Sequence, residues 1–372
     1  MKILIFPQIY PLRPEVSQIF AKHFRDYNHK ITMMVDKKNE ERFISKKNLE
    51  IHVSKFVNFI AKIVHFLFYR EFDVVITRDH FYLLLIGYIF KKIQGIPLIF
   101  NINNPKQFLT QILYAWYHPK RIGGFLENLL IIKLLKKADL ILPVSKWMGY
   151  YLINKGIKKN KIQVFPSGSD TENFKSNISY PKNCLVPKFI YVGTMVKIRK
   201  MQIILYALEK VKKRYNNVKL YMIGNGNDLK NLLKLSKNLD IRDNVEFTGY
   251  INFNEIPNYI QKAHACLSPI PPENLYKLSS PIKIFEYISC ARPIIANEEI
   301  PAHKKLIEES KCGLLTKYTP ESFAEAMIKI IEDKDTAEEM GLKGREWVEK
   351  NRSYKILASN VEEKILEIIQ TP

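Results

Sequence analysis

The strongest constraint on the fold is a regular alternation between short apolar runs and longer segments compatible with helix. The apolar runs of the first half are bounded by polar or turn residues. They are KILIFP (2–7), KITMMV (30–35), DVVITR (73–78), PLIFNI (97–102), DLILPV (139–144) and KIQVFP (161–166). Helix-compatible segments lie between several of them, at 17–27, 81–93 and 125–138. Strands that alternate with helices form a parallel sheet covered by helices on both faces, so we predict an α/β domain here.

The same alternation restarts in the second half of the chain. Predicted strands lie at 187–193, 219–224, 244–249, 265–270 and 293–297, with helices over 201–215, 228–239 and 254–263. A chain of 372 residues suits two domains of roughly 150 to 200 residues. We therefore predict an N-terminal domain over 1–178 and a C-terminal domain over 179–350, and we expect a helix over 351–372 that returns to the first domain.

The charge of the chain is uneven. Residues 1–180 contain 28 basic and 13 acidic side chains, which gives +15 of the total net charge of +21. A basic half indicates an anionic partner, such as a membrane surface, a phosphorylated substrate or nucleic acid, and a solvated lysine-rich face is the alternative. We do not expect a nucleic-acid partner, because no nucleic-acid-binding motif accompanies the charge.

The remaining bulk features indicate the compartment. The four cysteines form no C-x-x-C pair, which argues against a disulfide framework or a zinc site. No signal-peptide pattern and no run of 18 uncharged apolar residues is present in this sequence. We expect a cytoplasmic protein, with peripheral attachment to the cytoplasmic face of a membrane as an open alternative.

A basic loop follows the first strand predicted for the second domain. In VGTMVKIRK (192–200), Gly193 permits close backbone approach, and Lys197, Arg199 and Lys200 precede a helix. Backbone amides, a helix N-terminus and cations together suit a diphosphate. The alternative is a solvated basic loop. The turn IGNGND (223–228) is weaker evidence, since a plain tight turn explains it equally well.

The segment SPIKIFEYISCARPII (280–295) is the most informative. Ser280 suits a helix N-cap, and Pro281 suits the first helical position. Lys283 then lies in the first helical turn, where a cation is unfavourable unless an anion binds there. Glu286 is its neighbour three residues on, and a carboxylate can accept hydrogen bonds from a ribose diol. The alternative is a surface ion pair.

These segments resemble glycosyltransferase family 4, and the resemblance covers nearly the whole chain. VFPSGSDTENF (164–174), YVGTMVKIRK (191–200) and EYISCARPIIA (286–296) occur in the family's order and spacing. The resemblance implies a GT-B fold, in which two Rossmann-like domains face across a cleft, with C-terminal helices. It also implies retaining, metal-independent transfer without a cofactor, from a nucleoside diphosphate sugar held by the second domain to a glycan or lipid-linked acceptor held by the first.

The resemblance assigns roles on the donor side. Gly193 lines the diphosphate, Arg199 matches a phosphate-binding lysine, and Glu286 binds the donor ribose. The helix that begins near Pro281 and Ile282 supports the departing phosphates. Thr194 stands where the family has an arginine, and Lys200 where it has a glycine. We expect Lys283 to replace missing cationic contacts, and we name Lys283 and Arg199 as the catalytic pair.

Other positions depart from the family. Leu278 stands where the first of two glutamates belongs. Asn103 stands where an acceptor-side histidine is common, and Pro11, Arg13 and Pro14 replace a glycine-rich turn. We expect Asn103, His80 and Arg13 on the acceptor side. These departures leave two alternatives open: a non-catalytic relative that binds a sugar nucleotide or a partner glycosyltransferase, and a nucleotide-sugar epimerase of the same architecture.

Two apolar stretches flanked by cations, residues 55–70 and 116–137, bear on the membrane question. Both suit helices at a bilayer interface, and both equally suit helices packed on the first sheet. Because the first half is basic, membrane attachment would be expected to favour anionic lipid.

Overall fold

The computed structural model describes residues 1–7, 12, 15–38, 40–103, 128–278 and 280–370. The chain divides into two compact units. The first comprises Met1–Ser167, Leu278–Ser280 and Tyr354–Pro372, and the second comprises Gly168–Lys277 and Pro281–Ser353. Residues 168–178, which the sequence analysis placed in the first domain, therefore lie in the second unit.

The first unit is built on a seven-stranded sheet. Its strands are β1 (Lys2–Phe6), β2 (Lys30–Asp36), β3 (Arg42–Lys46), β4 (Leu49–Ser54), β5 (Val74–Arg78), β6 (Leu98–Ile102) and β7 (Leu140–Pro143). The spatial order is β3-β4-β2-β1-β5-β6-β7, and every pair is parallel except β3 with β4. Alternate residues along each strand point to opposite faces, so each face carries its own apolar core.

Helices cover both faces of this sheet. A π-helical segment, Val16–His23, continues into α1 (Phe24–Asp26) and packs on one face. The opposite face carries α2 (Phe56–Tyr69), α3 (Phe81–Gln94), α4 (128–135 in its described part) and α5 (Lys146–Asn154). Gly95, in the left-handed conformation with φ of 71°, ends α3.

The second unit contains a six-stranded parallel sheet. Its strands are β8 (Lys188–Val192), β9 (Lys219–Ile223), β10 (Val245–Gly249), β11 (Ala265–Ser268), β12 (Ile294–Asn297) and β13 (Gly313–Thr316). Their spatial order is β10-β9-β8-β11-β12-β13. This is the strand order of a doubly wound dinucleotide-binding fold, whose order reverses between the first strand and its neighbour, here β8 and β11.

Eight helices of the second unit are described. They are α6 (Gln202–Lys212), α7 (Leu229–Asn238), α8 (Ile256–Ile260), α9 (Asn274–Lys277), α10 (Ile282–Ser289), α11 (Pro301–Ser310), α12 (Pro320–Glu332) and α13 (Lys334–Asn351). The last helix, α14 (Tyr354–Gln370), belongs to the first unit, where Tyr354, Leu357 and Val361 are buried in its core. Among the described residues, no helix has both the length and the apolar character needed to cross a bilayer.

Most predicted strands are present, and the prediction of two α/β units in tandem is confirmed. The strand predicted over 161–166 is wrong: the segment forms an isolated bridge between Ile141 and Ile162, and the amides of Gln163 and Phe165 donate to carbonyls of β7, without forming a strand. The pattern did not predict the β3–β4 pair or β13. Residues 42–46 are mostly exposed, as befits an edge strand, and so lack the apolar alternation on which the prediction depended.

Candidate functional site

The carboxyl ends of β8 and β11 form the expected ligand-binding edge of the second sheet. In open α/β sheets, ligands bind where the strand order reverses. Gly193 follows β8 directly, and the segment after β11 leads into α10, which carries Lys283 and Glu286. The topology therefore collects at one edge the segments that the sequence analysis selected separately.

Glycines allow two loops to meet at this edge. The amide of Gly193 donates to the carbonyl of Ile223, and the amide of Met195 donates to the carbonyl of Asn225. A Cβ at Gly224 would lie 2.1 Å from the Gly193 carbonyl oxygen, and one at Gly226 would lie 2.1 Å from the Met195 carbonyl oxygen. The role of the IGNGND turn was ambiguous from the sequence. In the structure, this turn packs against the Gly193 loop and hydrogen-bonds to it.

Lys283 lies directly against this loop. Its Nζ is 4.0 Å from the centre of the Tyr191 ring and 3.0 Å from the point where a Cβ of Gly193 would lie. Burial lowers the pKa of Lys283 well below its ordinary value, and the nearby Arg199 guanidinium acts in the same direction. Within the described part of the chain, this ammonium has no hydrogen-bond or ion-pair partner. A cation that burial destabilises in this way is suited to bind an anion.

Glu286 lies one helical turn beyond Lys283. Its side chain is buried, with 8% of the residue exposed, and its carboxylate opposes the lowering of the Lys283 pKa. The neighbouring Tyr287 hydroxyl accepts a hydrogen bond of 2.8 Å from the Val192 amide, which fixes α10 to the end of β8. The spacing predicted from the sequence therefore brings Lys283 and Glu286 to one place.

The start of α10 differs from the prediction by one residue. The helix begins at Ile282, and Pro281 is its N-cap with an extended backbone, so the assignment of Ser280 as cap is wrong. Instead, the Ser280 carbonyl accepts a hydrogen bond from the Ser167 hydroxyl. Pro281 provides no side-chain cap, so no side chain at the cap position occupies the first amides of α10.

The basic loop contacts the segment that follows β11. The Arg199 guanidinium lies 5.1 Å from the centre of the Tyr276 ring, and Lys200 Nζ is 2.9 Å from Glu273 Oε1. Lys200 has a φ of 50°, the left-handed conformation that favours glycine, which explains why the family has a glycine there. Thr194 is exposed, and its carbonyl accepts a hydrogen bond from the Tyr191 hydroxyl.

Leu278 has an apolar environment. Its side chain packs against a core cluster of the first unit, and its carbonyl accepts a hydrogen bond of 2.7 Å from the Ser145 hydroxyl. The position at which the family has a glutamate is therefore occupied by a residue that belongs to the core of the first unit.

Asn103, which we expected on the acceptor side, lies in a polar cluster at the ends of β5 and β6 in the first unit. Asn103 Nδ2 donates to Glu15 Oε1 at 3.0 Å, and the main-chain amide of Asn103 donates to Asp79 Oδ1 at 2.7 Å. Arg78 donates to the same Glu15 oxygen at 2.8 Å. Sequence reasoning missed Glu15, Arg78 and Asp79.

The signal that could have found Arg78 and Asp79 is the charged triplet Arg78-Asp79-His80 at the end of a buried strand, whereas Glu15 is distant in sequence. Asp79 is buried with a φ of 57°, and backbone strain in a buried carboxylate is typical of functional sites. His80 is the N-terminal cap residue of α3. Arg13 lies outside the described residues.

A second group missed from the sequence lies at the ends of β11 and β12. His303 is buried, with Nδ1 3.1 Å from the Asn297 carbonyl and Nε2 3.1 Å from the Ser268 hydroxyl. Because a carbonyl can only accept, Nδ1 carries the proton and Nε2 accepts from Ser268. Burial lowers the pKa of His303 to about 4, so the ring is neutral near pH 7. The Asn297 side chain in turn accepts from the Ile270 amide and fixes the segment after β11.

Comparison with known proteins decides the family. Residues 20–173 match Glycosyltransferase Family 4, and residues 172–347 match glycosyl transferases group 1. The chain belongs to glycosyltransferase family 4. It is a hexosyltransferase-type enzyme with the GT-B fold that uses nucleotide sugars, as the sequence analysis predicted.

Relatives of this glycosyltransferase match nearly the whole chain or about half of it. An uncharacterized glycosyltransferase of Methanocaldococcus jannaschii is 22% identical over 95% of both chains. A GDP-mannose-dependent phosphatidylinositol monomannoside mannosyltransferase of Mycobacterium tuberculosis is 24% identical over 54% of each. The crystal structure of Anabaena HepE in complex with UDP shares the fold, with a TM-score of 0.73, 16% identity and coverage of 99% and 100% of the two chains.

Proposed function

We propose that this glycosyltransferase moves a sugar, with retained anomeric configuration and without a metal, from a nucleoside diphosphate sugar to a glycan or lipid-linked acceptor in the synthesis of a cell-surface polysaccharide or glycolipid. The observation that carries the proposal is the Lys283 ammonium against Gly193. A lysine whose charge is destabilised by burial gains strongly from a nearby diphosphate, because the anion replaces lost hydration.

The proposed diphosphate position lies beside Gly193 and the first turn of α10. The amides at the start of this eight-residue helix have no side-chain acceptor from Pro281, so phosphate oxygens can accept from them. Thr194 and Ile282 border this position. The Glu286 carboxylate then lies one turn further along α10, where it can accept hydrogen bonds from the two hydroxyls of the donor ribose.

Arg199 and Lys200 provide a second, more exposed source of positive charge. Lys200 is about half exposed and pairs with Glu273, while Arg199 rests on Tyr276. A solvent-exposed ion pair contributes only about 0.2 to 1 kcal/mol, so a diphosphate can readily draw Lys200 away from Glu273. Charge-assisted contacts to phosphate are stronger, which favours this exchange.

The proposed chemistry requires no protein nucleophile. The acceptor hydroxyl attacks the anomeric carbon on the face from which the diphosphate leaves. The bond between this carbon and the phosphate oxygen breaks, and the acceptor proton passes to that oxygen. Lys283 and Arg199 stabilise the negative charge that develops on the leaving group. We propose that these cations serve in place of a divalent metal, so activity should persist in EDTA.

The acceptor side is proposed for the ends of β5 and β6. Asn103 is oriented by Glu15 and Asp79, and His80 is the N-cap residue of α3 at the same edge of the sheet. We include Arg13 on this side because the resemblance places it there. The mycobacterial relative is named for a phosphatidylinositol-based acceptor. That name and the basic first half together favour a lipid-linked acceptor and peripheral attachment to the cytoplasmic membrane face.

One observation favours a second candidate, a non-catalytic sugar-nucleotide-binding relative. Leu278 occupies a glutamate position of the family and packs in an apolar core, so this carboxylate contact to the donor is absent. Lys283 offers a contact of opposite sign, which suits phosphate but cannot accept from a sugar hydroxyl.

The test is a donor-turnover assay on the full chain. UDP-sugars and GDP-sugars are supplied with and without a membrane lipid extract, and release of nucleoside diphosphate and formation of glycosylated product are measured. Product whose new linkage has the donor's anomeric configuration supports the proposal. Donor binding without release or transfer supports the non-catalytic candidate, and an inverted linkage contradicts the proposed chemistry.

A further inference from the structure

We propose that the outer faces of α2, α3 and α4 together form a surface that docks on an anionic lipid bilayer. We call it the docking face. This inference deepens the proposed membrane-linked acceptor, on which it rests for its biological purpose, although its physical basis is independent of the donor site. The sequence left open whether the apolar stretch 55–70 lies at a bilayer interface or packs on the first sheet, and the exposed side chains of α2 favour the interface.

The outer surface of α2 is the centre of the docking face. Surface helices normally bury one apolar stripe and expose a polar one. In α2, Phe59, Ile63 and Phe66 already pack against the sheet. The opposite side is apolar as well, with side chains 40% to 77% exposed: Phe56, Val57, Ile60, Val64, Phe68 and Tyr69.

Two neighbouring helices extend the docking face. The inner residues of α2, α3 and α4 belong to one core cluster, so the three helices cover the same face of the first sheet. On the outside, α3 exposes Leu85, Ile89 and Ile93, and α4 exposes Leu129 and Leu130. α2 and α3 pack against each other, and exposed apolar side chains that are grouped on neighbouring helices, rather than scattered singly, mark an interaction site.

Charge identifies the occupant as a bilayer. The segments 55–70, 81–94 and 128–137 contain no Asp or Glu. Five exposed lysines flank the apolar side chains: Lys55, Lys92, Lys133, Lys136 and Lys137. Lysine is depleted at protein–protein interfaces, whereas aromatic and aliphatic side chains bordered by lysine are typical of helices that lie in a bilayer interface. The combination is complementary to anionic lipid.

The pattern also indicates how α2 would lie. Its exposed apolar side chains occur from Phe56 at one end to Tyr69 at the other. A helix of 14 residues is about 21 Å long. Because the apolar residues occupy its full length, α2 would lie in the plane of the interface rather than enter by one end.

The test is sedimentation of the full chain with vesicles of phosphatidylcholine and phosphatidylglycerol. The first variant, Phe56→Ser, Val57→Ser and Phe68→Ser combined, removes exposed apolar contacts. The matched control, Leu185→Ser, Tyr250→Ser and Leu342→Ser combined, changes three exposed apolar residues of the second unit. We expect the first variant to partition at least about 30-fold less, because each inserted side chain contributes up to roughly tenfold. The control should match the wild type.

A second variant, Lys92→Gln, Lys133→Gln and Lys137→Gln combined, isolates the charge. It should reduce binding to vesicles that contain phosphatidylglycerol and leave binding to pure phosphatidylcholine unchanged. Thermal shift with nucleoside diphosphate sugars reports folding and donor binding in every variant, so failure of docking is distinguishable from failure of the proposed function. Three results would overturn the inference. The wild-type protein does not sediment with vesicles, the control variant loses as much binding as the docking-face variant, or the docking-face variant converts a dimer to a monomer.

Discussion

At the scale of single residues, the central feature is a lysine whose charged form is destabilised by burial. Lys283 stands over the Tyr191 ring, close to the Arg199 guanidinium, with Glu286 as its nearby carboxylate. A structural ion pair would place the two charges in direct contact, but no such contact forms between them. The burial of this cation is therefore better explained by the binding of an anionic ligand than by a contribution to the stability of the fold.

Replacement of Lys283 by alanine should lower turnover at saturating donor by about 10² to 10³, the range seen when one preorganised contact to a developing anion is lost. The fold should remain intact, because the ammonium makes no structural hydrogen bond within the described chain. Steady-state kinetics and circular dichroism measure the two effects. An unchanged rate would remove Lys283 from the catalytic role.

The lowered pKa of Lys283 predicts a pH dependence of donor binding. The diphosphate favours the protonated lysine, so binding takes up a proton once the pH exceeds the pKa of the unliganded enzyme. Affinity should therefore decrease as pH rises through this lowered pKa. Calorimetry at a series of pH values below the ordinary range of a lysine pKa, in buffers of different ionisation enthalpy, measures the uptake. The Lys283→Ala variant should show no such slope, and an equal slope in both proteins would assign the proton to another group.

At the scale of elements, the proposed donor site depends on close contact between two loops. Gly224 and Gly226 let the turn after β9 meet the carbonyls of Gly193 and Met195. The hydrogen bonds from the amides of Gly193 and Met195 to this turn fix the loop that Lys283 faces. The turn therefore acts on donor binding indirectly, through the position of the Gly193 loop.

A Gly226→Ala substitution should destabilise the second unit by about 1 to 3 kcal/mol, because its Cβ would collide with the Met195 backbone. It should also weaken nucleotide binding. Gly149→Ala is the matched control, since its Cβ would meet nothing closer than 3.5 Å and it lies inside α5. The control should be neutral or stabilising by up to about 1 kcal/mol. Thermal unfolding measures both, and equal stability of the two variants would contradict this account.

The sequence predicted those elements whose residues follow one physical rule. Buried parallel strands such as β1, β5 and β11 are continuous apolar runs, and they were found. The β3–β4 pair was missed, because its edge strand is exposed. The spacing of Lys283 and Glu286 is local to one helix and could be predicted. The contacts of Glu15 with Asn103 and of His303 with Ser268 join residues distant in sequence, so they could not.

At the scale of the whole molecule, the chain path couples the two ends of the sequence. After α13 the chain returns to the first unit, where α14 buries Leu357, Val361 and Ile365 against the face that also carries the π-helical segment. Glu362 Oε1 lies 2.6 Å from His29 Nε2 within this unit. The C-terminal residues are thus part of the core of the first unit.

A Leu357→Ala substitution should cost about 2 to 5 kcal/mol, the range for truncation of a buried leucine. Glu363→Ala is the control on the exposed side of the same helix and should change stability by no more than about 0.5 kcal/mol. Denaturant unfolding of the full chain measures the difference. A Leu357→Ala variant as stable as the control would show that α14 is dispensable to the first unit.

The most direct measurement is the dissociation constant of a nucleoside diphosphate, chosen by thermal-shift screening of UDP and GDP, for three proteins. These are the wild type, Lys283→Ala and Lys304→Ala, the last removing an exposed lysine of α11 that pairs with Glu308. We predict that Lys283→Ala binds at least about tenfold more weakly, a loss of roughly 1.4 kcal/mol, and that Lys304→Ala binds as the wild type does. Equal affinity in all three proteins would contradict a donor diphosphate held between Gly193 and Lys283.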